Sequence, residues 1–145
     1  MSEPLEKSVR VRCSVQHAFT VFTERVDTWW PRGHRRFEDS SLRLEPHVGG
    51  RFIEERGEDS KELGEVRAWD PPTRVCFSWW PGALEGPTEV EVRFIEDGDA
   101  TLVEVTHRVG DSGLGGAWPG RVAIFGRNWD DVLEALREHV SRDPE

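Results

Sequence analysis

The chain has no tyrosine, one methionine and two cysteines among 145 residues. It also lacks any apolar run of the ~18 residues that a membrane-spanning helix requires. Cys13 and Cys76 stand far apart, without the CxxC spacing of a metal or redox pair, and read as small buried hydrophobes of a reducing compartment. Positive charge is scarce: 19 Lys and Arg face 28 Asp and Glu, for a net charge of −9. Phosphate backbones and anionic membranes require a basic stripe, so nucleic acid and membrane are excluded as expected partners. Arg32, His34, Arg35 and Arg36 form the one basic cluster, read as a short exposed turn. Met1-Ser2-Glu3-Pro4 carries no apolar signal region, and a cytoplasmic location is expected. No two of His34, His47, His107 and His139 are spaced so that a helix or hairpin would converge them, which predicts no metal. With no nucleotide loop or redox motif, no cofactor is expected.

What is present is tryptophan, seven residues in all, and a patterned chain. Residues 6–13 alternate polar and apolar as a half-wet strand. Ser14 suits a helix N-cap before Ala18, Phe19, Phe22 and Val26, and Asp27 or Thr28 would cap a second short helix holding Trp29 and Trp30. From residue 41 strand follows strand: Leu42 with Leu44, residues 51–56, 63–69, 74–80, 89–95 and 102–109. Asp70-Pro71-Pro72-Thr73 and Asp97-Gly98 mark tight turns. Val122, Phe125, Trp129, Val132, Leu133, Leu136 and Val140 then recur at three- and four-residue steps, as the apolar stripe of one long helix. One domain spanning 1–145, of class α+β, follows, large enough to bury ~70% of its unfolded surface. A stripe that must bury itself on a sheet encloses space for a ligand.

The order of strand, two helices, six strands and helix, with Trp29-Trp30-Pro31, Val48-Gly49-Gly50-Arg51-Phe52, Gly64-Glu65-Val66-Arg67-Ala68-Trp69-Asp70-Pro71-Pro72, Thr88-Glu89-Val90-Glu91-Val92 and Val103-Glu104-Val105-Thr106-His107, resembles the START-like helix-grip (SRPBCC, Bet v 1-like) superfamily. Within it the chain is most similar to the family named for the C-terminal domain of the activator of Hsp90 ATPase. The resemblance implies a curved seven-stranded antiparallel sheet wrapped around the last helix, with an apolar tunnel opening near the short helices. It also implies a choice among ligand carriers, cyclases and co-chaperones, which only the site decides.

Alternation puts His107 on the face of Val103 and Val105, taken as inward, and Glu54 on the face of Phe52. Together they would be an acid and a base, or an anchor for a polar ligand head. The candidate ligand-binding set is Phe22, Trp30, His34, Phe52, Glu54, Phe77, Trp79, Val92, Phe94, Val105, His107, Phe125 and Trp129, with Trp30 and Trp79 walling the pocket. Gly113, Gly115 and Gly116 would leave the helix entry mobile. Gly110-Asp111-Ser112-Gly113 resembles a serine-protease signature, but the chain is too short for that fold, and a turn accounts for it. The expected function is binding of a small apolar or amphipathic molecule by a monomer or homodimer. The alternatives are a cyclase or hydrolase using His107 and Glu54, and a module that acts on a chaperone.

Overall fold

Residues 3–80, 87–110 and 118–142 are described by the computed structural model. The first alternating segment forms β1 (Leu5–Val11), with Leu5 and Val11 buried and Glu6, Ser8 and Arg10 exposed. Ser14 caps α1 (Val15–Thr23): its hydroxyl accepts the His17 N–H at 3.1 Å, satisfying a donor that the first helical turn leaves over. Ala18, Phe19 and Phe22 form the buried face of α1.

The second helix corrects the expected cap. α2 (Val26–Trp29) has Arg25 at its N-cap position, so Asp27 lies inside it. The Asp27 carboxylate instead accepts from Arg35 Nη1 at 2.8 Å and from the Leu42 N–H at 2.9 Å. The basic cluster is also not an exposed turn throughout. Arg32–His34 form a single 3-10 turn, and the Arg35 side chain just beyond it is only 1% exposed. It donates to the carbonyls of Asp27, Trp30 and Ser40, so one guanidinium ties these three residues together.

The remaining strands are β2 (Ser41–Leu44), β3 (Arg51–Arg56), β4 (Asp59–Asp70), β5 (Arg74–Trp79), β6 (Thr88–Asp97) and β7 (Ala100–Arg108). They form one antiparallel sheet in the order β1-β7-β6-β5-β4-β3-β2, so a single long-range pairing, β1 with β7, departs from chain order. Irregularities at Phe52/Ile53 and Val66/Ala68 add local twist, which helps the sheet curl. Gly98 makes the β6–β7 turn at φ +67°, a backbone region that glycine enters without steric cost. At Gly64 a Cβ would lie 1.7 Å from the Ser78 carbonyl oxygen, so β4 and β5 meet there more closely than any side chain allows.

The final helix, α3 (Trp118–Arg142), packs on β1 and touches α1 and α2. Trp129, Val132, Leu133, Leu136 and Val140 are buried, while Arg127 and Asp130 point to solvent, as the period predicts. Each such large side chain contributes about 1.5 to 3 kcal/mol relative to exposure. The Val122 and Trp118 side chains, the loop glycines 113, 115 and 116, and the 111–113 part of the protease-like motif lie outside the described residues.

Candidate functional site

Trp30 ends α2 and is 5% exposed, because rings surround it on several sides. Its centroid lies 5.8 Å from Phe52, 5.8 Å from Trp79 and 6.0 Å from Trp129, mostly in tilted or edge-on contacts. Phe52 in turn sits 5.5 Å from Phe77 and 5.4 Å from Trp79. These rings do not fill the space between β5, β7 and α3. A pocket of about 160 Å³ remains, walled by Trp30, Trp79, Phe125, Trp129 and Val132. His34, His107 and Asn128 supply its polar lining.

His107 is 1% exposed and both of its ring nitrogens are engaged. Trp129 Nε1–H donates to Nδ1 at 3.0 Å, and an indole can only donate, so Nδ1 must be the acceptor nitrogen. Nε2 then carries the proton and donates to Thr88 Oγ1 at 2.7 Å. The Thr88 hydroxyl donates in turn to the Trp79 carbonyl at 3.0 Å. The chain of three bonds fixes the orientation of Trp129 and ties it through His107 to the end of β5. Burial pushes the imidazole down from 6.5 to about 4, so it is neutral at ordinary pH.

That depression sets a pH dependence. Below about 6.5 the unfolded chain takes up a proton that folded His107 refuses until about pH 4, so stability is full above that window and falls as pH drops through it. The loss attributable to His107 approaches about 3 kcal/mol at the lower end. Urea melts of wild type and His107→Gln between pH 7 and 4 should show the steeper decline in wild type. Parallel curves would contradict the neutral assignment.

Glu54 has a different setting. It is 3% exposed on β3 and accepts from the backbone N–H groups of Arg36 and Phe37, each at 3.1 Å, and from Ser40 Oγ at 2.6 Å. Its carboxylate anchors the segment after the 3-10 turn and lines a separate depression with Arg36, Phe37 and Arg56. The structure therefore does not bring Glu54 and His107 to one pocket. Of the other expected ligand residues, Phe22, Val92, Phe94 and Val105 lie in the core, with Phe94 against Phe19 and Phe22. Phe52 and Phe77 stand behind the indoles. Trp30, His34, Trp79, His107, Phe125 and Trp129 do share the pocket.

Asn128 and Asp131 were not foreseen. Both lie on the solvent-side flank of the apolar stripe of α3, and Asp131 Oδ2 meets His34 Nε2 at 3.0 Å. Their only signal in the sequence is that they bracket Trp129 within one helical turn, on the flank that the 3-10 turn faces. Among the described residues no three His, Cys, Asp or Glu side chains are placed to hold a metal ion, and no helix is long and apolar enough to cross a membrane.

Residues 12–141 match the model of the family described as Activator of Hsp90 ATPase homolog 1-like protein. No curated protein matches the chain. Among solved structures, a protein from Nitrosomonas europaea is 13% identical, with a TM-score of 0.71 over 98% of this chain and 96% of its own. CalU16 from Micromonospora echinospora is 24% identical, with a TM-score of 0.62 over 97% of this chain and 75% of its own. Txn09, named as an anthrahydroquino-gamma-pyrone synthase and solved with a compound designated SUM, is 34% identical, with a TM-score of 0.57 over 84% of this chain and 86% of its own.

Proposed function

The chain belongs to the Activator of Hsp90 ATPase homolog 1-like family, and from that membership and the pocket together we propose that it binds a small, flat, largely apolar molecule between the sheet and α3. The observation that carries this reading is the convergence of Trp30, Trp79 and Trp129 on a void of about 160 Å³. A dry engineered cavity of roughly 150 Å³ in another protein is large enough to take benzene, so one aromatic ring fits here and a second can extend through the opening. Indole faces and edges favour planar rings over branched chains. The relative named as an anthrahydroquino-gamma-pyrone synthase supports an oxygenated aromatic molecule as the ligand class.

A surface-interaction role has less support. Among the described residues the exposed large hydrophobics are Phe37, Val48, Trp80, Ile95 and Ile124, and no observation joins them into the contiguous patch that a docking face requires.

The test is binding of 2-methoxynaphthalene, which cannot ionise, followed by calorimetry and quenching of tryptophan emission. Wild type should bind it at a stoichiometry near one. Val132→Phe, which fills the pocket wall, should weaken binding at least tenfold while leaving the fold intact. No binding by wild type, or equal binding by Val132→Phe, would refute the proposal.

A further inference from the structure

Of the polar pocket residues, His34 and Asn128 lie outside the hydrogen-bond chain through His107, and of the two only the imidazole can take up a proton. His34 stands at the end of the 3-10 turn, lines the pocket and is about a quarter exposed. Its Nε2 lies 3.0 Å from Asp131 Oδ2. A carboxylate only accepts, so Nε2 is the protonated nitrogen and Nδ1 holds the lone pair of the neutral ring. Among the described residues Nδ1 has no hydrogen-bond partner, and no buried side-chain polar atom is left unsatisfied, so Nδ1 is open to the pocket or to water.

The neighbouring cations do not compete for Asp131. Arg32 donates to the carbonyls of Glu38 and Ser40, and Arg35 is committed to Asp27 and to backbone carbonyls. The carboxylate is left to orient the imidazole and to stabilise it when it takes up a proton, the division of labour between acid and base partners in acyl-transfer triads. His107 cannot share this role, since both of its nitrogens are engaged within the fold.

Resting on the reading of the pocket as a site for flat aromatic molecules, we propose that its ligand is a hydroxylated aromatic and that the His34–Asp131 pair takes the proton from its hydroxyl. In this step the ligand O–H bond breaks, the proton passes to His34 Nδ1, and the electron pair stays on the ligand oxygen as a phenolate. Asp131 keeps its bond to Nε2–H throughout, so no oxidant or further reactant is needed. The Asn128 amide, on the same flank of the pocket, offers N–H donors to an oxygen of the ligand. The product is a phenolate beside the aromatic walls of the pocket, paired with the protonated imidazole. His34 is the catalytic residue of this step, and Asp131 is a positioning residue that acts through it.

The probes are 4-nitrophenol, whose phenolate has its own visible absorption band, and 4-nitroanisole, which has the same shape and no proton to give. With the 145-residue chain at a pH about one unit below the probe's own pKa, both should bind at a stoichiometry near one. Bound 4-nitrophenol should show the phenolate band. His34→Gln should abolish the band while 4-nitroanisole still binds at a stoichiometry near one. Asp131→Asn should move the appearance of the band to higher pH, and Asp131→Glu should restore it. Neutral bound nitrophenol in wild type, or a band that persists in His34→Gln, would overturn the proton-acceptor role while binding of 4-nitroanisole upheld the pocket. Failure of both probes to bind would overturn the pocket reading and this inference with it.

Discussion

Trp129→Ala is expected to lower the stability of the protein by about 3 to 5 kcal/mol, the range for deleting a large buried ring. The residue is 5% exposed at the contact of α3 with the sheet, beside Trp30 and above His107. The change removes two things, apolar contact and the indole N–H that donates to His107 Nδ1. Trp129→Phe separates them: a ring stays, the indole donor to His107 is lost, and the expected cost is about 1 to 3 kcal/mol. Arg127→Ala, on the exposed side of the helix, should change stability by less than about 0.5 kcal/mol. Urea denaturation of the three variants checks this order. Equal losses for Trp129→Ala and Arg127→Ala would mean that the stripe of α3 is not buried.

Glu54→Ala should be almost as damaging, although Glu54 is charged and its removal relieves the chain of one of many acids. The carboxylate satisfies two backbone N–H groups and the Ser40 hydroxyl, all beside a side chain that is 3% exposed. Orphaning those donors costs about 2 to 4 kcal/mol, less whatever water recovers. The loss should concentrate in the segment from Arg35 to Ser40. Amide hydrogen exchange at Arg36 and Phe37 should therefore rise sharply in the variant while amides of β6 and β7 stay protected. Unchanged protection at Arg36 and Phe37 would contradict the anchoring role.

The difference between these two residues shows where sequence reading succeeds. Trp129 belongs to a pattern, since apolar side chains at three- and four-residue steps can face only one way on a helix. The same holds for Val90, Val92 and Phe94 on β6, and for the Ser14 cap, whose oxygen must find an N–H within one turn. Glu54 shows the limit. Alternation correctly turned it inward, but its partners at Arg36, Phe37 and Ser40 come from a segment with no period, so their arrival could not be read. Arg35 failed in the same way: four basic residues near a glycine resemble an exposed turn, and only the fold brings Asp27 and three carbonyls around one guanidinium. β4 begins at Asp59 and not at Leu63, since Asp59–Glu62 pair with β3, and they carry no alternation by which the sequence could show it, being exposed on both faces. Of the pocket itself, the indoles and both histidines were legible. The His34–Asp131 contact spans 97 positions in the chain and leaves no local trace.

The central claim, that the void among the indoles is a ligand site, is tested most directly by the indole N–H signals of nitrogen-15-labelled protein during titration with 2-methoxynaphthalene. Assignment by single Trp→Phe variants identifies each signal. The signals of Trp30, Trp79 and Trp129 should shift together and saturate with one affinity, while that of Trp69, which packs on Phe19 away from the pocket, should stay in place. Shifts confined to Trp69 or the exposed Trp80, or no saturable shift at Trp30, Trp79 and Trp129, would contradict it.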